Sequence, residues 1–125
     1  MLRFILIPIC FLFISSGLQA QDKTPQLKTY YLVLLKKGPN RSQDSLSIGE
    51  IQRGHMAHLE KMATEKKMCL GGPMGVSHEI RGICVYNTSS LEEATQLVNQ
   101  DPAIKSGRLI AEIIPWLSES GNCLP

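Results

Sequence analysis

The chain has 125 residues, with 13 Lys and Arg against 11 Asp and Glu, a formal net charge of +2, and 43% hydrophobic residues. That length suits one compact domain and is too short for two. Its basic residues stand singly or in the two isolated pairs Lys36-Lys37 and Lys66-Lys67 with no aromatics interleaved, which points away from nucleic acid as a partner.

The first segment reads as a processing signal. Arg3 precedes an apolar run from Phe4 to Ile14, and Ser15-Ser16-Gly17-Leu18-Gln19-Ala20 follows it; this is the charged region, short apolar region and small-residue cleavage site of a signal peptide over residues 1–20. The run has 11 residues, whereas a bilayer-spanning helix needs about twenty. Cys10 lies within the run and not at the cleavage point, so a lipid-modified cysteine is not indicated. The expectation is export to the periplasm or the medium, cleavage after Ala20 and no membrane attachment thereafter. Cleavage removes 20 of the 125 residues and leaves 105; Arg3 is the one charge lost, so 12 Lys and Arg remain against 11 Asp and Glu.

Residues 21–28 are polar, include Pro25 and read as a flexible lead-in. Thr29 to Leu35 is a β-rich run that stops at Lys36-Lys37-Gly38-Pro39-Asn40. A polar loop from Arg41 to Ser47 opens a long helix that runs to about Lys66. On its wheel Ile48, Ile51, His55, His58, Leu59 and Met62 share one arc, so a titratable ring, His55, is aimed at the core. Gly54, just before it, leaves room for a ligand, a crossing strand or plain helix packing. Met68 to Gly72 is a short strand, Pro73 to Glu79 a loop, and Ile80 to Asn87 another strand. Ser90-Leu91-Glu92-Glu93 is a capping box that opens a second helix, which stops at Asp101-Pro102. A last strand, Arg108 to Ile114, ends at Pro115-Trp116, and residues 118–125 read as a loose tail.

The order β-α-β-β-α-β is the split βαβ arrangement, a ferredoxin-like α+β fold with an antiparallel sheet and both helices on one face. The uncovered face carries too many apolar residues to meet water, so a second copy of the chain is expected to cover it in a homodimer. Cys69, Cys84 and Cys123 survive processing, and their spacing is not that of a zinc ribbon. Cys69 and Cys84 are placed symmetrically about the intervening loop. Either they form a cross-strand disulfide or they are two small buried apolar side chains.

In order along the chain, Gly54-His55-Met56-Ala57-His58-Leu59, Leu70-Gly71-Gly72-Pro73, Arg81-Gly82-Ile83, Ser90-Leu91-Glu92-Glu93-Ala94, the stretch from Asp101-Pro102 to Arg108-Leu109, and Glu112-Ile113-Ile114-Pro115-Trp116 resemble the YCII-related (YciI-like) family of dimeric α+β barrel proteins. The resemblance covers residues 29–117, and the Lys36 to Asn40 and Gln43-Asp44-Ser45 stretches are similar to an exported bacterial branch. It implies a dimer through the open sheet faces and a pocket in which a helix histidine works with a carboxylate. Dehydrochlorination of an aromatic intermediate is the kind of chemistry assigned in the family. His55 falls on the family histidine, eleven residues before Lys66, where relatives usually carry glycine. Relatives of this branch continue after Gly72-Pro73 with Phe-Gly-Asp-Asp-Gly, whereas this chain reads Met74-Gly75-Val76-Ser77-His78 and lacks that acidic loop.

A histidine acting as general acid or base wants a partner that fixes its tautomer. With the acidic loop gone, Asp44 and Glu79 are the acids expected to serve His55; Asp101 is a poorer candidate, since it reads first as a cap or turn at the end of the second helix. Arg81 is either a surface ion pair or an anion clamp at the pocket mouth. Gly72, Pro73, His58 and His78 complete the expected ligand-binding set, and the ligand is expected to be a small ring-shaped or anionic molecule. No cofactor is implied, since no glycine-rich phosphate loop follows a strand. Three readings stand: an enzyme using His55 for elimination or isomerisation, a non-catalytic binding or structural dimer that kept the pocket, and a metal site made by His55, His58 and His78.

Overall fold

The computed structural model describes residues 26–121, so the expected signal peptide, Cys123 and most of the expected lead-in lie outside the described residues. Seven elements follow in order: β1 (Leu27–Lys37), α1 (Ser45–Thr64), β2 (Met68–Pro73), β3 (Ile80–Tyr86), α2 (Leu91–Val98), α3 (Pro102–Lys105) and β4 (Leu109–Glu119). The strands form one sheet in the order β2-β3-β1-β4 with every neighbouring pair antiparallel. This is the ferredoxin-like α+β fold.

Alternation along β1 decides which face is the core. Tyr31, Val33 and Leu35 are buried, and across the ladder they stand with Cys84 and Tyr86 of β3. Met62 of α1 and Ala94 and Val98 of α2 close over them. Burying side chains of this size contributes about 1.5–3 kcal/mol each. Among the described residues no helix covers the opposite face: Leu70, Val85, Leu32 and Ile114 form one cross-strand row, and Tyr30 and Trp116 pair at its end with ring centroids 6.3 Å apart. Ile110, Ile114 and Trp116 on that face are 47%, 38% and 44% exposed, an apolar area unusual for a solvated sheet.

Local chemistry sets the element ends. Asp44 caps α1, its Oδ1 accepting the Ser47 N–H at 2.8 Å. The helix leaves through a Schellman turn in which the Lys66 N–H reaches the Ala63 carbonyl and the Lys67 N–H the Met62 carbonyl. Lys66 takes φ +57° there, the left-handed conformation that glycine adopts most readily. Ser90 caps α2 by accepting the Glu93 N–H, but the Glu93 carboxylate reaches back one residue further than a capping box requires, to the N–H and hydroxyl of Ser89. Glu93 also takes Lys67 Nζ at 2.5 Å, and that bond first, then those from Ser89, hold its carboxyl down at about 2.

Three expectations need correction. The outer strands run on: Leu27 and Lys28 pair with Glu119 and Ser118, so parts of the lead-in and the tail are ordered strand. Pro115 does not end β4, because β4 is an edge strand with one backbone side free of any ladder, where a proline's missing N–H is tolerated. Asp101-Pro102 ends α2 but also opens a short helix of its own, since proline is preorganised for a first helical position.

Candidate functional site

A cavity of about 960 Å³ lies between α1 and the helix-side face of the sheet. The floor is low because Gly71 and Gly82 carry no side chain; a Cβ on Gly82 would stand 2.8 Å from the Gly72 carbonyl oxygen. Leu35, Ile51, Leu59, Met68 and Leu109 make its apolar wall, and His55 lines it from α1.

His55 is 9% exposed, and its Nδ1 is 2.6 Å from Oδ2 of Asp101, which is 2% exposed. The other oxygen of Asp101 accepts the Ala103 N–H at 2.8 Å and so caps α3. One carboxylate thus does two jobs, fixed from below by a helix end while it holds the imidazole. A carboxylate can only accept, so Nδ1 carries the hydrogen and Nε2 is the nitrogen left to meet a ligand. Gly54 makes this contact possible: a Cβ there would come within 2.9 Å of the Pro102 ring, pushing away the helix that bears Asp101.

The acid beside His55 is therefore Asp101 and not Asp44 or Glu79. Asp44 is spent on the α1 cap, eleven residues before His55, which is roughly 16 Å of helix axis. That cap, through the Ser47 main-chain N–H first, also holds the Asp44 carboxyl below its ordinary range. Glu79 lies at the approach to β3, where its carbonyl accepts the Lys37 N–H, and it does not line the cavity. Gly72, Pro73 and Arg81 do line it. His78 sits in the exposed β2–β3 loop with Nδ1 accepting the Ile80 N–H at 3.1 Å, so it is not brought to His55. Among the described residues no three His, Cys, Asp or Glu side chains are grouped to hold a metal.

Sequence reading missed Arg41, Arg53 and Arg108, which join Arg81 around the cavity. It read Asp101 as a cap or turn closing the second helix, whereas its carboxylate caps α3, and the packing of α3 on α1 turns it toward His55. Cys84 faces Gly71 across the β2–β3 ladder, so it is not opposite Cys69, which falls at the register shift between Met68 and Leu70. Burial first, then the nearby Asp101 charge, pushes the Cys84 thiol up to about 11, which leaves it unreactive near neutrality.

His58 is buried beside this site without lining the cavity, and among the described residues its Nε2 has no hydrogen-bond partner. Desolvation lowers its pKa; Asp101 acts against that shift, and His55, Lys61 and Lys105 add to it. The unfolded chain therefore binds the His58 proton more readily than the folded one, so stability falls as the pH drops below about 6.5 and recovers as it rises. The His58→Leu variant is expected to gain up to about 1 kcal/mol, because an unsatisfied buried polar atom is removed. It is also expected to lose less stability than the parent between about pH 7.5 and 5.5. Urea unfolding at the two pH values reads both effects; an unchanged pH slope would dismiss His58 as the titrating group.

Fold and site together define a ferredoxin-like domain with a buried His–Asp pair at a cavity under its long helix. The chain belongs to the YCII-related domain family, whose model matches residues 29–117. The uncharacterized protein YjpA of Bacillus subtilis (strain 168) is 29% identical over 86 residues, covering 69% of this chain and 92% of that protein. Among solved structures, the 5-chloro-2-hydroxyhydroquinone dehydrochlorinase TftG from Burkholderia phenoliruptrix AC1100, in complex with 2,5-dihydroxybenzoquinone, superposes with a TM-score of 0.53 at 23% identity. That match covers 70% of this chain and 92% of TftG, and it is a likeness of fold.

Proposed function

We propose that this YCII-related protein is an enzyme of small-molecule chemistry in which His55, oriented by Asp101, moves a proton in an elimination or isomerisation. The buried 2.6 Å contact between His55 Nδ1 and Asp101 carries this reading, because it leaves Nε2 as the base on a ring that already lines the cavity. Protonation at Nε2 creates an imidazolium that the Asp101 carboxylate stabilises. The missing acidic loop after Pro73 does not deprive the site of an acid, since Asp101 comes from α3. The dehydrochlorinase of similar fold eliminates from a hydroxylated ring, and its bound 2,5-dihydroxybenzoquinone supplies a probe.

In heavy water the protein is expected to speed exchange of the ring hydrogens of 2,5-dihydroxybenzoquinone, followed by proton NMR, and His55→Ala to remove at least about 100-fold of that acceleration. Binding of the quinone without any acceleration would sink the acid–base reading in favour of a non-catalytic binding protein.

The apolar open sheet face supports a homodimer, and the sequence of residues 1–20 supports export with cleavage after Ala20. Native mass spectrometry of the protein purified from its own host tests both. The expected mass is twice that of a chain beginning at Gln21; a monomer mass rejects the dimer, and a chain that begins at Met1 rejects processing.

A further inference from the structure

We propose that the cavity selects an organic dicarboxylate, a molecule with an apolar body and two carboxylate groups held by a ring of arginines. This rests on the proposed small-molecule site and names its substrate class.

The distribution of cations carries the inference. All four arginines among the described residues, Arg41, Arg53, Arg81 and Arg108, line this one cavity, and none of the described lysines does. They arrive from four places: the loop after β1, α1, β3 and the turn before β4. Arginine and lysine are equally good at keeping a surface soluble, so chance placement would mix them. Only the guanidinium offers a planar fork that grips a carboxylate with two parallel hydrogen bonds.

The charges are also left uncompensated. Among the described residues no arginine makes a salt bridge; every ion pair uses a lysine or His55. Arg41 Nη1 donates to the Arg108 carbonyl at 3.1 Å and Arg108 Nη1 to Gln43 Oε1 at 3.3 Å. Neutral acceptors thus position two of the forks without cancelling them. Glu60 is the one acid among the lining residues, so four arginines against it and the Asp101 carboxylate behind His55 leave an excess of two positive charges. A monoanion would leave half of that excess, whereas two carboxylates balance it. The wall of Leu35, Ile51, Leu59, Met68 and Leu109 calls for a hydrocarbon body between the acids.

Calorimetric titration with isophthalate, benzoate, isophthalamide and inorganic phosphate tests the proposal. Isophthalate is expected to bind about tenfold tighter than benzoate and about a hundredfold tighter than the neutral diamide, and to weaken several-fold between about 50 and 500 mM salt. Arg53→Gln and Arg81→Gln should each weaken isophthalate about tenfold, with Arg81→Lys recovering only part of that loss. Circular dichroism melting confirms that each variant is folded. Lys61→Gln, which removes an exposed cation outside the lining, should bind isophthalate within about twofold of the parent. Equal binding of isophthalamide, preference for inorganic phosphate, or indifference to both arginine substitutions overturns the proposal. Isophthalate binding without quinone exchange would reject the acid–base reading alone; exchange without selective isophthalate binding would reject the dicarboxylate alone.

Discussion

Replacing Asp101 by Asn is expected to cost about 100- to 10,000-fold in proton transfer while the domain stays folded. Asparagine is as good a helix cap as aspartate, so the bond from the Ala103 N–H to position 101 can persist. The bond to His55 cannot persist in kind. An asparagine amide can donate to Nδ1, which moves the ring hydrogen to Nε2 and removes the lone pair that faces the ligand. It also leaves the imidazolium without its counter-charge at a site where Asp101 is only 2% exposed. Long-range proton–nitrogen NMR of the His55 ring reads the tautomer directly, independent of any substrate. Wild type should show hydrogen on Nδ1, and Asp101→Asn should show it on Nε2. If the two spectra agree, Asp101 does not orient His55. Asp101→Ala, by contrast, loses the cap as well, about 1 kcal/mol of stability in addition to the activity.

The largest effect on stability is expected from Gly38→Ala. A Cβ at Gly38 would stand 2.1 Å from the Gly107 carbonyl oxygen and 2.7 Å from the Arg108 carbonyl carbon, and both are backbone atoms that no rotamer change can move. The same junction is tied by bonds from the Gly38 N–H to the Arg108 carbonyl at 2.9 Å and from the Asn40 N–H to the Gly107 carbonyl at 3.0 Å. Gly107 itself takes φ +69°, so the turn cannot easily yield from its side. Relieving the overlap should cost on the order of 2–4 kcal/mol, a fall in melting temperature of more than about 10 °C for a domain of this size. Arg41 and Arg108 flank this junction, so ligand binding should weaken with it. Gly49 on α1 is the internal comparison: nothing lies within 4 Å of a Cβ there, and Gly49→Ala should gain up to about 1 kcal/mol from helix propensity. Thermal unfolding of the two variants should therefore move in opposite directions. A Gly38→Ala midpoint within about 2 °C of wild type would mean that the β1 exit is far more plastic than its contacts imply.

The element pattern was legible because it is written at short range. The β-rich run from Thr29 to Leu35, the helical stripe through His55, His58 and Met62, and the Ser90 cap each lie within a few residues, where composition, period and hydrogen-bonding chemistry speak directly. The same locality misled at Pro115, where a proline rule that holds inside a sheet does not hold at its edge. It also limited the reading of Asp101, whose neighbours in the chain advertise only a cap.

By itself the sequence determined the order of the four strands and two longer helices, the inward aim of His55 on the first of those helices, and the resemblance to the YCII-related family. Only the tertiary structure decided which acid meets that histidine and which cations surround its cavity. His55 and Asp101 are 46 positions apart and touch because α3 rests on α1 at Gly54. The four arginines come from separate elements and share a cavity only once the sheet is paired. Spacing along a chain fixes contacts within one element; contacts between elements depend on how apolar faces settle against each other, which no local pattern encodes.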